Sequence, residues 1–176
     1  MRNKQRARIR YLCQAAMIAA LYVVLTWVSA MLGLDSSTPQ CRFAEALCIL
    51  PLFMPAAVAG VSVGCLVANL LFTPTPGDLI VGTLATLTGA VLCRLIGRVW
   101  HTYRLPNLLV ATLPNVIANA LMIPLVLQYT YGLGDGYLVL VLQIAAGELL
   151  SGTVLGVFLG LSIPGPVNSK LSEGIK

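Results

Sequence analysis

The segment FAEALCILPLFMPAAVAGVSVGCLVANLLFT, residues 43–73, decides how many helices the chain contains. It is almost wholly apolar, and its length suits either one tilted helix or two short ones. Pro51 and Pro55 each lack an amide donor, and the ring of a proline clashes with the preceding helical turn. We therefore predict a break near Pro55, with a helix on each side of it.

The composition of the whole chain indicates a membrane protein. Of its 176 residues, 58% are hydrophobic and 10% charged, whereas soluble domains carry about 25% charged residues. A soluble fold would expose large apolar patches, but lipid accepts them. Because a spanning helix needs about 20 apolar residues, we predict an all-α, single-domain (1–176) bundle of six transmembrane helices. They lie at about residues 9–33, 43–55, 57–73, 79–100, 107–130 and 137–162.

Basic residues set the predicted topology, because Lys and Arg collect in cytoplasmic loops. With two helices in residues 43–73, both termini and the 94–106 region face the cytoplasm, and only Arg42 is outside. One helix there would move the basic residues of the 94–106 region outside. The cytoplasmic residues are then Arg2, Lys4, Arg6, Arg8, Arg10, Arg94, Arg98, Arg104, Lys170 and Lys176. This topology explains the positive charge, so we expect no nucleic-acid partner.

Motifs of the common enzyme classes are missing. The chain has no Walker A loop for ATP phosphates and no HExxH zinc site. Its one histidine, His101, has no nucleophile partner. The cysteines lack CxxC spacing and read as small buried hydrophobes, with a soft-metal relay as the alternative. They are Cys13, Cys41, Cys48, Cys65 and Cys93. We predict no enzymatic activity, metal or cofactor.

Carboxylates at membrane depth are the first candidates for a binding site, because they are costly in lipid. Glu148 lies roughly 17 Å into the sixth predicted helix at 1.5 Å per residue, and a protonated Glu bonded to a carbonyl is the structural alternative. Glu45 follows Arg42 by three residues, so the two side chains meet on a helix, as an ion pair or as a binding carboxylate held by Arg42. Asp78 reads as an N-cap or helix-dipole partner.

Amide side chains accompany these carboxylates in the outer half or middle of the bundle. Amides can also serve packing alone by bonding across helices. Their number here favours a polar cavity that opens to the exterior and binds a small, donor-rich, cationic molecule. The amides are Asn69, Asn115, Asn119 and Gln143.

Small residues recur at four-residue spacing, which permits close approach of helices in lipid. For the glycines of the third and sixth helices we expect packing within the chain. The first helix carries a wide alanine face that packs within the chain or receives a partner's helix. That face consists of Ala15, Ala16, Ala19 and Ala20.

Several runs in this order resemble the QueT family, the queuosine-precursor substrate-binding (S) subunits of energy-coupling factor transporters. They are CRFAEALCILPLFMPAA at 41–57, GVSVGCLVANL at 60–70, GDLIVGTLATL at 77–87, PNVIANA at 114–120 and AGEL at 146–149. Ala44 departs from the pattern, since a small hydroxyl residue is expected before the Glu.

The resemblance implies a six-helix subunit of the bacterial cell membrane that binds a vitamin-like molecule from outside. It would dock, through the alanine face of its first helix, on a separate transmembrane coupling subunit that two ATPase subunits drive. The implied substrate is a 7-deazaguanine base, whose ring N–H and exocyclic NH₂ suit a carboxylate. Glu45 and Glu148 would divide base and cation recognition, and Asn69, Asn119 and Gln143 would bond the rest of the base. The alternatives are an S subunit for another vitamin-like ligand, a proton-coupled secondary transporter acting through Glu148, and a structural membrane adaptor.

Overall fold

Six helical segments account for most of the computed structural model, which describes residues 2–34, 40–99, 105–132 and 134–163, with side chains from Lys4 onward. The predicted all-α fold is confirmed. The predicted cytoplasmic tail, Arg104, His101 and the 35–39 loop lie outside the described residues. The segments are α1 (Arg2–Met31), α2 (Phe43–Phe53), α3 (Ala56–Phe72), α4 (Asp78–Val99), α5 (Leu105–Tyr129) and α6 (Tyr137–Ser162).

Four of these helices, α1, α4, α5 and α6, are long and apolar enough to cross a membrane. The helix α3 has 17 residues, at the lower end of the roughly 17–25 that a span requires, and α2 is shorter still. Large apolar side chains are exposed along the helices, as lipid contact requires; examples are Met17, Leu70, Ile117, Leu142 and Phe158. The fold is that of a membrane protein, while six crossings and cytoplasmic termini stay predictions.

The break between α2 and α3 lies at Met54, whose backbone is extended (φ −143°, ψ 136°). Before it, α2 consists of the 3₁₀-helix Phe43–Ile49 followed by one α-helical turn, Leu50–Phe53. A 3₁₀-helix rises about 2.0 Å per residue, more than the roughly 1.5 Å of an α-helix. The helix α2 therefore reaches roughly 20 Å despite its few residues.

Arg94 of α4 holds the end of α2. Its guanidinium donates to the carbonyl oxygens of Pro51 (3.4 Å) and Leu52 (3.3 Å). The last carbonyls of a helix have no partner within the helix, so Arg94 satisfies two acceptors at the break. This contact ties the end of α2 to α4.

The helix α1 begins earlier than predicted, at Arg2 rather than near residue 9, and it ends at Met31 rather than near residue 33. Arg and Lys are good helix formers, so the basic segment continues the helix. The end of the helix is a Schellman motif. Gly33 adopts φ +71°, and the amides of Gly33 and Leu34 bond the carbonyls of Ala30 and Ser29.

Glycines let the helices approach closely. A Cβ at Gly64 of α3 would lie 2.7 Å from Tyr22 Cβ and 3.1 Å from Ala19 Cα of α1, and Gly60 lies against the carbonyl of Ala15. In α6, Gly152 and its successors at four-residue spacing lie against α2 and α5. Within the alanine face, Ala15 and Ala19 are half-buried toward α3, whereas Ala16 and Ala20 are exposed.

Candidate functional site

Two carboxylates from distant parts of the chain share one amide in the interior. Asn115 of α5 donates from Nδ2 to Glu45 Oε2 (2.9 Å) and to Glu148 Oε2 (3.3 Å). Asn119, one turn along α5, donates to Glu148 Oε1 at 3.0 Å. As whole residues, Glu45 and Glu148 are 3% and 9% exposed, respectively. The α5 helix therefore brings Glu45 and Glu148 into one hydrogen-bonded group.

Glu45 is held from two further sides. The Tyr22 hydroxyl of α1 donates to Oε1 (2.5 Å), and the Cys48 thiol, one turn along α2, donates to Oε2 (3.3 Å). Tyr22 is fully buried and stands in the same helix as the alanine face. The first helix thus contributes to the interior site as well as to an outer surface.

A small cavity of about 20 Å³ lies beside this group, which is room for about one water molecule. Its polar lining combines both carboxylates with Arg42 and Asn119. The remaining lining residues are Gln40, Cys65, Gly82, Thr86, Ile123 and Ile144. Most of this lining is polar, unlike the predominantly apolar walls of an ordinary small-molecule site, and a two-ring base fits only if the lining moves apart.

Two π-helical stretches border the cavity. One, Leu149–Leu155, begins directly after Glu148. The other, Asp78–Gly82, opens α4 and ends at a residue of the lining. Short π-helical segments are rare and concentrate at functional sites. The position of these stretches indicates a functional site beside the cavity, and this indication comes from the backbone and not from the side chains.

The electrostatics of the site favour a donor-rich guest. Two carboxylates that share a buried site repel each other when both are ionised. The Arg42 guanidinium in the same lining offsets part of this repulsion, as do the neutral amides and the hydroxyl through hydrogen bonds to charge. A ligand that brings N–H donors or a positive charge relieves the remainder.

Within the described ranges, no group of three or more His, Cys, Asp or Glu side chains could hold a metal ion.

Comparison with known families identifies the chain. The model of the QueT transporter family matches residues 12–164. The chain belongs to the QueT transporter family. No curated protein and no solved structure matches it. The match confirms the family resemblance seen in the sequence, and it spans both carboxylates and Tyr22.

The structure brings together four of the residues for which we predicted substrate contact. The cavity described above is lined in this QueT chain by Arg42, Glu45, Asn119 and Glu148. Their roles in binding stay predictions.

Two other predicted residues lie elsewhere. Asn69 is outside the lining, because it donates to the Asp78 carbonyl (2.9 Å) and accepts from Arg42 (3.2 Å). It therefore lies behind Arg42 and can position that guanidinium. Gln143 is also outside the lining, and its buried Oε1 has no hydrogen-bond partner in the described part of the chain.

Asp78 lies in the first turn of α4, as expected for a helix-dipole partner, while the N-cap position is Gly77. It also joins two loops at one end of the bundle. Its Oδ2 accepts from Thr75 (2.7 Å) and from Tyr131 (2.6 Å). Burial, and then the hydrogen bond to Asp78, raise the pKa of Tyr131. Asn69 bonds both the carbonyl of Asp78 and the guanidinium of Arg42, so it connects these loops to Arg42.

Sequence reasoning missed Tyr22, and it counted Asn115 among the amides of a polar cavity without assigning it a substrate contact. A periodic signal was present, because Tyr22, Thr26 and Ser29 follow Ile18 at helical spacing and all four are buried. The alanine face is the more prominent pattern in α1, and it includes the exposed Ala16 and Ala20. Asn115 differs from the other amides by its position between two carboxylates, and only the tertiary structure shows that position.

Proposed function

We propose that this chain is the substrate-binding membrane subunit of an energy-coupling factor importer and takes up a queuosine precursor of the 7-deazaguanine type. The observation that carries the proposal is the pair Glu45 and Glu148, joined by Asn115 beside a cavity. Membership of a transporter family supports transport as the activity.

The chemistry of the lining matches a deazaguanine base. Its pyrimidinone edge offers a ring N–H beside an exocyclic NH₂, and a carboxylate accepts both in charge-assisted bonds. Aminomethylated forms add a positive charge, which the second carboxylate matches. Ile123 and Ile144 supply apolar surface for the faces of the rings.

The proposal includes partners in trans. In such importers a coupling subunit and two ATPase subunits supply the driving force, which fits a chain without a Walker A loop. The exposed Ala16 and Ala20 leave α1 a surface for a partner's helix. In this arrangement six helices cross the plasma membrane and both termini are cytoplasmic.

Ligand binding to the purified chain tests the proposal. Mass spectrometry of the mildly purified protein should detect a co-purified deazaguanine. Calorimetric titration with 7-deazaguanine should show binding that Glu45→Gln and Glu148→Gln each weaken by about tenfold or more, which is about 1.4 kcal/mol. Asp135→Asn, which removes an exposed loop charge, serves as the control and should bind normally. Unchanged affinity in both glutamine variants would contradict the proposal.

A second function, proton-coupled transport by this chain alone, would also use the buried carboxylate of Glu148. Uptake assays separate the two. Accumulation that requires the co-expressed ATPase subunits supports the importer, whereas accumulation by the chain alone in vesicles with a proton gradient supports the alternative.

A further inference from the structure

The two carboxylates differ in how much hydrogen-bonding capacity the protein already uses. A carboxylate offers about four lone-pair sites on its two oxygens. Among the described residues, Glu45 accepts three bonds, from Tyr22 on Oε1 and from Cys48 and Asn115 on Oε2. Its Oε2 is therefore fully used, and only one acceptor site remains, on Oε1 beside the fully buried phenol of Tyr22.

Glu148 is used less and more evenly. In the same described ranges it accepts one bond on each oxygen, from Asn119 on Oε1 (3.0 Å) and from Asn115 on Oε2 (3.3 Å). The bond from Asn115 to Glu148 is longer than its bond to Glu45, so the shorter bond of this amide is the one to Glu45. Glu148 thus keeps one open acceptor site on each oxygen.

Open sites on both oxygens allow two parallel hydrogen bonds to two adjacent donors, as in bidentate carboxylate recognition. We infer that Glu148 is the carboxylate that reads the N–H and NH₂ edge of the base, and that Glu45 is a positioning residue that fixes Asn115 and supplies negative charge. This inference rests on the proposed function and assigns its specificity to one side chain.

The surroundings of Glu148 fit this role. Glu148 is the last α-helical residue before the π-helical stretch of α6. The next turn places Gly152 beside it, where an added Cβ would come within 3.2 Å of Oε2. The lack of a side chain at Gly152 therefore keeps the neighbourhood of that oxygen open. By contrast, Glu45 accepts bonds from side chains of α1, α2 and α5.

The test compares two bases on one protein preparation. 7-Deazaguanine carries the 2-amino group, and 7-deazahypoxanthine has hydrogen in its place. The ratio of their dissociation constants cancels any loss of active protein, so partial misfolding of a variant does not affect it. The unaltered chain should bind 7-deazaguanine about 10- to 100-fold more tightly, as expected for a lost charge-assisted bond.

In Glu148→Gln the ratio should fall to about 3 or less, because glutamine cannot accept two adjacent donors. Glu148→Asp, which withdraws the carboxylate by one methylene group, should also lower it. In Glu45→Gln the ratio should stay within about threefold of the unaltered value, even though both affinities fall. A ratio that collapses in Glu45→Gln, or that survives in Glu148→Gln, overturns the inference and leaves the proposed function standing. If the unaltered chain binds neither base, both are overturned.

Discussion

Replacement of Tyr22 by phenylalanine tests the central contact of the site without any ligand. The change removes one oxygen and keeps the ring, so it opens no large cavity in the α1–α3 contact. It removes the donor to Glu45 Oε1 in a place where Tyr22 and Glu45 are 0% and 3% exposed, respectively. Bulk solvent therefore does not reach the position of the lost hydroxyl.

The expected magnitude follows from the charge of the acceptor. A hydrogen bond to a charged group contributes about 1.5–3 kcal/mol, and a buried acceptor left without its partner incurs the full desolvation cost. We expect Tyr22→Phe to lower the free energy of unfolding by about 2 kcal/mol. The assay is unfolding by sodium dodecyl sulfate in mixed micelles, followed by intrinsic tryptophan fluorescence.

Thr26→Val is the matched control. Thr26 lies one turn along the same helix and is equally buried, but its hydroxyl bonds the carbonyl of Tyr22 in its own helix (2.9 Å). That carbonyl also serves the helix ladder, so the loss should stay within about 0.5 kcal/mol. If Tyr22→Phe proved no more destabilising than Thr26→Val, the claim that Tyr22 anchors Glu45 would be refuted.

Two further predictions concern packing and the loops. Gly64→Ala should lower the free energy of unfolding by about 1–3 kcal/mol, because the new Cβ would meet Tyr22 and the α1 backbone. The control is Gly134→Ala, whose Cβ would have no atom within 4 Å and which should leave the free energy of unfolding unchanged. Equal stability of the two variants would refute the close contact between α1 and α3. Tyr131→Phe should lower stability by about 1 kcal/mol at neutral pH, because a half-exposed hydrogen bond to Asp78 is lost. Since the folded pKa of Tyr131 is raised above its ordinary value of 10.0, the stabilisation is complete below that value and declines as pH rises through the raised pKa. Thermal unfolding at several pH values should show the variant and the unaltered chain converging in alkali, and a constant difference would contradict the assignment.

Several features of the fold were predictable from local chemistry. The apolar composition indicated a helical membrane protein, and two prolines indicated a break, which the structure has at Met54. The helix α1 begins before its apolar segment, at Arg2, so the limit of that segment does not predict the start of the helix. Basic side chains continue a helix into water as readily as apolar ones do in lipid.

The 3₁₀ conformation of α2 and the π-helical stretches of α4 and α6 had no clear local signal. The two π-helical stretches border the cavity, and the 3₁₀ stretch carries Glu45 into the hydrogen-bonded group. Such departures from the α-helix depend on tertiary contacts that the sequence order does not reveal.

The sequence by itself determined which groups are too polar for lipid, Glu45 and Glu148 above all, because the cost of burying charge depends on residue type. Only the tertiary structure decided how they combine. It placed Asn115 between carboxylates that are 103 positions apart in the chain, removed Asn69 and Gln143 from the lining, and brought Tyr22 inward. Hydrogen bonds require partners within about 3.5 Å of each other, and in a helical bundle those distances are set by how the helices pack.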